Sequence, residues 1–476
     1  MKTRFAFMAL VFALLCASAV PAFAHDEGKP GQLTKISAGA FYSSCIDVNG
    51  SLWMWGLGTD GRLGNGVSNE NYSGDWNHSA ETTPIKVLSN VVSVSACDGD
   101  DDGGEFTAAI TADGSLWMWG SNGGGQLGNG GGGNVVDEWG YTNVYQTEPI
   151  KVMDNVAFVN CGAGCTAAIK TDGSLWMWGY LFTEEGRTRQ DTPVKVMDDV
   201  AAVSCGWNIV AAIKTDGSLW TWGAVFSDEE IVGVQSAPVK MMDDVAAVSC
   251  GCAHIAVIKT DGSLWTWGWN GYGQMGPEVE TEYQSTPIKI MDGAASVCCG
   301  YGNTAAVKTD GTLWTWGFNR FGQIGNGESG GDTDSMNGWG GLIQKTPVKV
   351  LDGVSAVSCS MTHMLAVKTD GTVWTWGENV GGTDYDPETI DLLTSPTPVT
   401  AGTQPLTATP EAGSSGATDG SGTTDGSGAS DGPDAPDGSQ GKSGPPTAAI
   451  VGAVATGVVA AGSAVWLVLM LIKMRK

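Results

Sequence analysis

One short motif recurs along this chain of 476 residues and restricts its fold more than any other feature. The core W-x-W-G occurs seven times, and the decapeptide KTDGSLWTWG is identical at 214–223 and 259–268. Successive copies begin 44 to 64 residues apart, a period typical of a solenoid, a propeller or another array. The fourteen tryptophans of the seven copies are Trp53, Trp55, Trp117, Trp119, Trp176, Trp178, Trp220, Trp222, Trp265, Trp267, Trp314, Trp316, Trp374 and Trp376.

Each repeat predicts short antiparallel strands. An apolar run such as 200–214 is rich in small and β-branched residues, as expected of a strand packed on both faces. An Asp-Gly pair then favours a tight turn, and SLWTWG forms the next strand. Because side chains alternate along a strand, Trp220 and Trp222 are predicted to share one face. A proline-led run such as TPVKVM adds a further strand, which indicates a propeller blade.

The repeats therefore predict an all-β fold, a seven-bladed β-propeller over residues 33–400. We expect one blade to be completed by strands from both ends of the repeat region. The predicted repeats are approximately 33–88, 91–153, 156–197, 200–242, 245–291, 294–351 and 354–400.

The two ends of the chain differ from the repeats. Residues 1–24 are predicted to be a secretory signal peptide, with basic residues, an apolar run and an A-x-A site at 22–24. Residues 401–446, rich in Gly, Ser, Asp and Pro, predict a disordered linker. The uncharged run 447–472 is long enough to cross a bilayer, and the basic tail 473–476 places the C-terminus in the cytoplasm. Together these features predict a single-pass cell-membrane protein with its propeller outside. Wall attachment is the alternative for 447–476, although the stretch 444–448 departs from the usual sorting motif.

Charge and cysteine content limit the partners. The formal net charge of −27 disfavours binding to nucleic acid, and we expect a monomer. Five cysteines share one repeat position, where a free thiol packs as a small apolar side chain: Cys161, Cys205, Cys250, Cys299 and Cys359. Disulfide pairing cannot be read from the sequence.

Two stretches resemble the repeat of the regulator-of-chromosome-condensation family: CGCAHIAVIKTDGSLWTWGWNGYGQMG at 250–276 and VKTDGTLWTWGFNRFGQIGNG at 307–327. The resemblance covers about residues 33–400 and implies seven blades. The family histidine stands only at His254 and His363, and the G-(Q/R)-(L/I)-G-N-G run is intact in three repeats. Nuclear members of the family act on a small GTPase and chromatin, which an exported, acidic protein would not meet. Secreted bacterial members grip β-lactamases with one propeller face, a role that fits this chain better.

No catalytic constellation stands out. The repeated Asp-Gly aspartates are assigned to turns, and His254 and His363 to structural positions. The adjacent acids Asp137 and Glu138 could serve an extracellular carbohydrate-active enzyme, but neighbouring residues of a strand point to opposite faces, which suits paired acid–base chemistry poorly.

The predicted binding site lies in the long loops that follow W-x-W-G. The three longest belong to blades six, one and two, so with blade seven they should rise together from one sector of the ring. Exposed aromatic residues ringed by polar groups are typical of protein or carbohydrate contacts. The aromatic residues of these loops are Trp76, Trp139, Trp339, Tyr72, Tyr141 and Tyr145. The alternative is that each tryptophan folds back to hold its own loop.

A second candidate is the acidic stretch DGDDDGGE at 98–105. Asp98, Asp100 and Asp102 match the start of a calcium loop, with Glu105 as a further ligand in another geometry. Because the twelfth position of that loop is an alanine, a solvated acidic turn is the favoured interpretation. No other cofactor is predicted.

These patterns favour a non-enzymatic cell-surface scaffold that binds an extracellular protein or glycan through the loops of blades six, seven, one and two. The alternatives are the carbohydrate-active enzyme and a purely structural surface module.

Overall fold

The protein folds as seven four-stranded antiparallel sheets. The computed structural model describes residues 35–68, 80–97, 104–131, 135–136, 142–143, 145–330, 342–379, 392–401 and 404–405. The predicted signal peptide, the predicted membrane span, the basic tail and almost all of the predicted linker lie outside these ranges. Within them, no helix has the length and apolar character needed to cross a bilayer.

The strands and one short helix follow in chain order. The first four blades contain β1 (Lys35–Gly39), β2 (Tyr42–Ile46), β3 (Leu52–Leu57), a 3₁₀ turn (Thr59–Gly61), β4 (Ala80–Leu88), β5 (Val91–Ala96), β6 (Phe106–Thr111), β7 (Leu116–Ser121), β8 (Val135–Val136), β9 (Thr142–Asn143), β10 (Tyr145–Met153), β11 (Val156–Gly162), β12 (Cys165–Lys170), β13 (Leu175–Thr183), β14 (Gly186–Met197), β15 (Val200–Cys205), β16 (Ile209–Lys214), β17 (Leu219–Phe226) and β18 (Ile231–Met242).

The last three blades and a terminal hairpin follow. They contain β19 (Val245–Cys250), β20 (His254–Lys259), β21 (Leu264–Trp269), β22 (Tyr283–Met291), β23 (Ala294–Cys299), β24 (Asn303–Lys308), β25 (Leu313–Phe318), β26 (Ile343–Leu351), β27 (Val354–Cys359), β28 (His363–Lys368), β29 (Val373–Glu378), β30 (Leu392–Pro398), β31 (Thr400–Ala401) and β32 (Gln404–Pro405).

Each blade uses four strands of its own repeat. Blade 1 is β1-β2-β3-β4, blade 2 is β5-β6-β7-β10, and the other five take consecutive sets of four from β11 to β30. The short pairs β8-β9 and β31-β32 stand apart from the blades. The predicted all-β, seven-bladed propeller is therefore confirmed.

Apolar side chains fill the seams between blades. In one seam, Leu175 and Met177 of blade 3 pack with Val210, Ala212 and Trp222 of blade 4. The prediction made for Trp220 and Trp222 holds for the equivalent tryptophans of blade 5, since Trp265 and Trp267 both pack toward blade 4. The preceding Leu264 packs toward blade 6. Burying the large aromatic side chain contributes most of the apolar area of such a thin sheet.

The G-(Q/R)-(L/I)-G run has a structural role. Its second residue offers its backbone carbonyl to the indole N–H of the next blade, as in Trp119 Nε1 to Arg62 O (2.9 Å) and Trp178 Nε1 to Gln126 O (2.8 Å). Both indoles are fully buried, and a buried indole N–H requires such an acceptor.

The innermost strands are joined by what we call the channel belt. One side chain per blade accepts a hydrogen bond from a backbone N–H of the next blade, over 2.7 to 3.1 Å. The seven belt acceptors are Ser37, Ser95, Asn160, Ser204, Ser249, Cys298 and Ser358. The residue after each acceptor is the donor to the preceding blade, and in blades 3 to 7 this residue is the repeated cysteine. All ten cysteines within the described ranges are free thiols.

The ring closes without a shared strand, so our prediction of a composite blade is wrong. Blade 1 ends at residue 88 and blade 7 starts at residue 354, with no strand exchanged between them. The seam between them uses the same contacts as the other six. The Ala38 N–H donates to Ser358 Oγ at 2.9 Å, while Ile36 and Trp55 pack against Leu365 and Val373. Because these contacts complete the seam, strand exchange is not needed.

Candidate functional site

The propeller has two unlike faces. In every blade the first and second strands, and the third and fourth, are connected at the same end, because the strands are antiparallel. We call this end the top face. The Asp-Gly turns lie at the opposite end, so the long loops singled out in the sequence belong to the top face.

Most of the predicted binding residues cannot be placed. Trp76, Trp139, Trp339, Tyr72 and Tyr141 lie outside the described residues. So do the acidic pair at 137–138 and the histidines at 25 and 78.

Tyr145 differs from expectation. It begins β10, is only 5% exposed, and its Oη lies 3.2 Å from Ser68 Oγ. Ser68 belongs to the β3–β4 connection of blade 1, so the Tyr145 side chain is buried where blade 2 meets the neighbouring blade. Tyr145 therefore does not offer an exposed ring to a partner.

The acidic stretch is only partly described. Asp98, Asp100 and Asp102 lie outside the described residues, whereas the Glu105 carboxylate is 2.6 Å from the guanidinium of Arg62. Glu105 thus forms a nearly buried ion pair with Arg62, and the calcium site stays a prediction. Within the described residues, no group of three or more His, Cys, Asp or Glu side chains is arranged to hold a metal.

The family histidines are buried at the seams. His363 Nε2 lies 2.9 Å from Ser43 Oγ and its Nδ1 lies 3.0 Å from Ser360 Oγ, while His254 Nε2 lies 3.1 Å from Thr304 Oγ1. Burial lowers the pKa of His363 to about 4 and that of His254 to about 3. Although Ser43 and His363 have the spacing of a nucleophile and a base, both are fully buried, so no substrate reaches them and their role is structural.

The structure reveals an aromatic cluster that the sequence analysis missed. Eight rings of blades 4, 5 and 6 pack together at the top face, and six of them are linked by ring contacts, apart from the Phe226–Tyr283 pair. We call these six the top-face aromatic patch: Trp207, Trp269, Tyr272, Tyr301, Phe318 and Phe321.

Three rings form the floor of this patch and three present a surface. Trp269, Tyr272 and Phe318 are buried, with centroids 5.0 Å apart for Trp269–Tyr272 and 4.5 Å apart for Tyr272–Phe318. Trp207, Tyr301 and Phe321 are half-buried. Trp207 and Tyr301 meet edge to face at 4.8 Å, an arrangement that the ring quadrupoles favour.

The patch opens onto the central channel. A cavity of about 140 Å³ lies inside the channel, lined by innermost-strand residues of all seven blades. Trp207 and Tyr301 line it too, because each follows the glycine that ends the innermost run of its blade. The belt serines that line the cavity use an oxygen lone pair for the backbone N–H of the next blade, which leaves their hydroxyl protons for other acceptors.

Charged groups border the patch on two sides. On the blade 5 side, Trp269 Nε1 donates to Glu282 Oε1 at 3.3 Å, and Glu278 and Glu280 precede it in an exposed stretch. On the blade 6 side, the Arg320 guanidinium lies 5.7 Å from the centroid of the Phe321 ring. Burial raises the pKa of Tyr272 to about 12, so this phenol is neutral and acts as an apolar surface. Aromatic faces bordered by hydrogen-bonding and charged groups are chemically suited to binding a partner.

One buried acid lies at the same level of blade 7. Glu378 ends β29, at the position that Trp269 and Phe318 occupy in blades 5 and 6, and it is only 6% exposed. Burial raises its pKa to about 7. Its Oε2 has no hydrogen-bond partner within the described residues, so no donor there stabilises a negative charge on this oxygen.

A sequence signal for the patch existed but was weak. Gly206-Trp207 and Gly300-Tyr301 each place an aromatic residue directly after a repeat-position glycine. The sequence analysis selected candidate loops by their length, and the connections that contain Trp207 and Tyr301 are short.

Comparison with known proteins identifies the repeats. The model of the regulator of chromosome condensation (RCC1) repeat matches residues 113–169, 261–307 and 310–367, and a second RCC1 repeat model matches 91–126, 245–274, 294–323 and 354–382.

Among curated proteins, the E3 ubiquitin-protein ligase HERC2 of Homo sapiens is 32% identical over 148 residues, which are 30% of this chain and 3% of HERC2. The RCC1 domain-containing protein RUG3, mitochondrial, of Arabidopsis thaliana is 30% identical over 31% of this chain and 29% of its own length. The chain thus matches less than a third of either relative.

Among solved structures, yeast RCC1 (Prp20) in complex with Kap60 has a TM-score of 0.57 at 19% identity, covering 73% of this chain and 83% of that one. At this identity the likeness shows the fold alone. The chain carries RCC1 repeats folded as a seven-bladed propeller.

Proposed function

We propose that this chain of RCC1 repeats is a non-catalytic binding scaffold, and that its top face holds a protein or glycan partner. The observation that carries the proposal is the top-face aromatic patch, where two of the three half-buried rings, Trp207 and Tyr301, also line the channel cavity. Large, rigid aromatic side chains lose little conformational entropy on binding and dominate many interfaces. Solved relatives give the fold a precedent, since one is crystallised with Kap60.

We propose further that the scaffold is displayed at the cell surface. Residues 1–24 support export, and the uncharged run 447–472 followed by a basic tail supports a single membrane span with the C-terminus inside. The linker 401–446 would then hold the propeller away from the bilayer. We propose that the loops of blades six, seven, one and two extend the contact beyond the patch.

Binding measurements with the full-length chain test the proposal. The chain is reconstituted in nanodiscs and screened against a glycan array and a library of secreted proteins, and the affinity for each hit is then measured. We expect Trp207→Ala combined with Tyr301→Ala to weaken binding at least about tenfold, since central aromatic contacts often contribute 2 kcal/mol or more. A second set, Trp76→Ala with Trp139→Ala and Trp339→Ala, tests the long loops.

The control variant is Val92→Ala. Val92 is exposed and is the second residue of β5, which places it near the opposite face from the patch. Its replacement is expected to leave both affinity and melting temperature unchanged. If the patch variant binds as tightly as the control, the top face is not the contact surface. If the long-loop variant loses melting temperature instead of affinity, those tryptophans hold their own loops.

A further inference from the structure

The outer strands of the blades form the rim of the propeller. Each is the last strand of its sheet, so one of its edges has no strand beside it within the described residues. Two outer strands, β14 of blade 3 and β18 of blade 4, are twelve residues long, whereas the other five have seven to nine. A long open edge is a template for pairing with another strand.

The edge of β18 is apolar and exposed. Val232 is 58% exposed and Val234 is 48% exposed, and five of the ten large hydrophobic residues exposed in the described ranges lie in this strand: Ile231, Val232, Val234, Val239 and Met241. The segment from Ile231 to Val239 contains no charged residue. Gly233 is its third residue, where an added methyl group would meet no atom within 4 Å. The face of the sheet beside Gly233 is therefore open.

Blade 3 shows what a protected edge looks like in the same chain. With Pro193 and Pro238 aligned, Arg187 and Arg189 of β14 stand where Val232 and Val234 stand in β18. Arg189 Nε lies 2.6 Å from Asp191 Oδ1, and Arg187 Nη2 donates to the carbonyl of Ala163 at 2.6 Å. Charged side chains on an edge strand discourage pairing with a second chain. The two strands have equal length and the same place in their blades, and they differ in the charge of these edge residues.

The charges at the two ends of β18 indicate which partner fits. Glu229 and Glu230 precede the strand and are exposed, while Lys240 lies near its other end. If two copies of β18 run antiparallel about Val234 and Gln235, Lys240 of each copy falls opposite the glutamates of the other. Opposite charges directly across an antiparallel pair stabilise it. A parallel pairing would place like charges together. The edge is therefore self-complementary in one orientation only.

We propose that β18 is a homodimerisation edge, at which two copies of this chain pair antiparallel and join their fourth blades into one continuous sheet. This inference does not rest on the proposed top-face contact, because it uses the edge of β18 and not the aromatic patch, although Glu229 and Glu230 lie in the top-face connection between β17 and β18. It replaces the expectation of a monomer. A single pair of strands buries less than the ~1,200 Å² of a stable interface, so the dimer is weak and forms at high local concentration.

Charge reversal tests this arrangement on the full-length chain. The fraction of chain in a covalent dimer is measured after brief zero-length carbodiimide cross-linking, which joins a lysine to a contacting carboxylate. We expect a dimer for the natural sequence and at least about tenfold less for Lys240→Glu, or for Glu229→Lys with Glu230→Lys, because each homodimer then places like charges together. Mixing the two variants restores both opposite-charge pairs in the heterodimer, so the dimer fraction should recover.

Two further variants test whether the dimer depends on the edge of β18 or on any change of surface charge. Val232→Arg with Val234→Arg copies the edge of blade 3 and should abolish the dimer without changing the melting temperature. Lys195→Glu breaks the Lys195–Asp198 pair (2.7 Å), which matches the Lys240–Asp243 pair (2.7 Å) one blade away, and should leave the dimer fraction unchanged. The proposal is overturned if the natural sequence gives no dimer, if the arginine variant dimerises as well as the natural one, or if the mixture of charge variants does not recover.

Discussion

Replacing Ser358 with alanine tests whether the propeller is a closed ring. Ser358 lies in blade 7, and its Oγ accepts the backbone N–H of Ala38 in blade 1 at 2.9 Å, across 320 residues of sequence. Ser204 makes the equivalent bond to Cys250 N, also at 2.9 Å, between neighbouring repeats. In an open superhelix the second bond would persist and the first would not exist. The two substitutions are otherwise chemically identical.

The substitution leaves the Ala38 N–H without its hydrogen-bond acceptor, and the expected loss of stability follows from this. A buried N–H that loses its acceptor costs about 1–3 kcal/mol. Ala38 is 4% exposed, but Ser358 and Ala38 both line the channel cavity, where water can replace part of the lost bond. We therefore expect Ser358→Ala to lower the free energy of unfolding by about 1–2 kcal/mol. Since the geometry of the two bonds matches, Ser204→Ala should cost the same.

Chemical denaturation measures the free energy of unfolding of both variants. Hydrogen exchange measured by mass spectrometry shows which strands are destabilised. In Ser358→Ala, the amides of β1 and β27 should exchange faster, while those of β15 and β19 keep their protection. The reverse pattern is expected for Ser204→Ala. Closure would be refuted if Ser358→Ala had the stability of the natural sequence while Ser204→Ala was destabilised.

Two further predictions concern stability. Gly206→Ala should lower the free energy of unfolding by roughly 1–3 kcal/mol in thermal denaturation, because its new methyl group would collide with the carbonyl oxygen of Gly251 in the next blade. Gly233→Ala, with open space around it, should change stability by less than about 0.5 kcal/mol, and equal effects at both sites would contradict the close approach of blades 4 and 5. Glu378→Gln should stabilise the protein by up to about 3 kcal/mol above pH 7 and have little effect below pH 4.5, as measured by unfolding free energy against pH. The pKa of this carboxyl is about 7 when folded against an ordinary value of 4.5, so the natural protein loses stability as pH rises through that window, where the unfolded chain ionises first. A difference between the two proteins that does not vary with pH would show that Glu378 is not held in its neutral form.

Several local features of the fold can be predicted from the sequence alone. The turn at Asp216-Gly217 and the shared face of Trp265 and Trp267 follow from local rules, because a glycine accepts positive φ and strand side chains alternate. Seven copies of such a unit specify seven blades. The length and composition of the loops of blades one, two and six predicted exposed aromatic residues there, but Tyr145 is buried and contacts Ser68 of blade 1.

The sequence alone determined the repeat, its hairpins and the number of blades, because those depend on residues that are close together in the chain. Only the tertiary structure decided how the ring closes, which rings meet at the top face and which rim strand is left unprotected. The Ser358–Ala38 bond and the Trp207–Tyr301 contact join residues from different blades. Such contacts depend on the curvature of the whole ring, and no local pattern of residues encodes that curvature by itself.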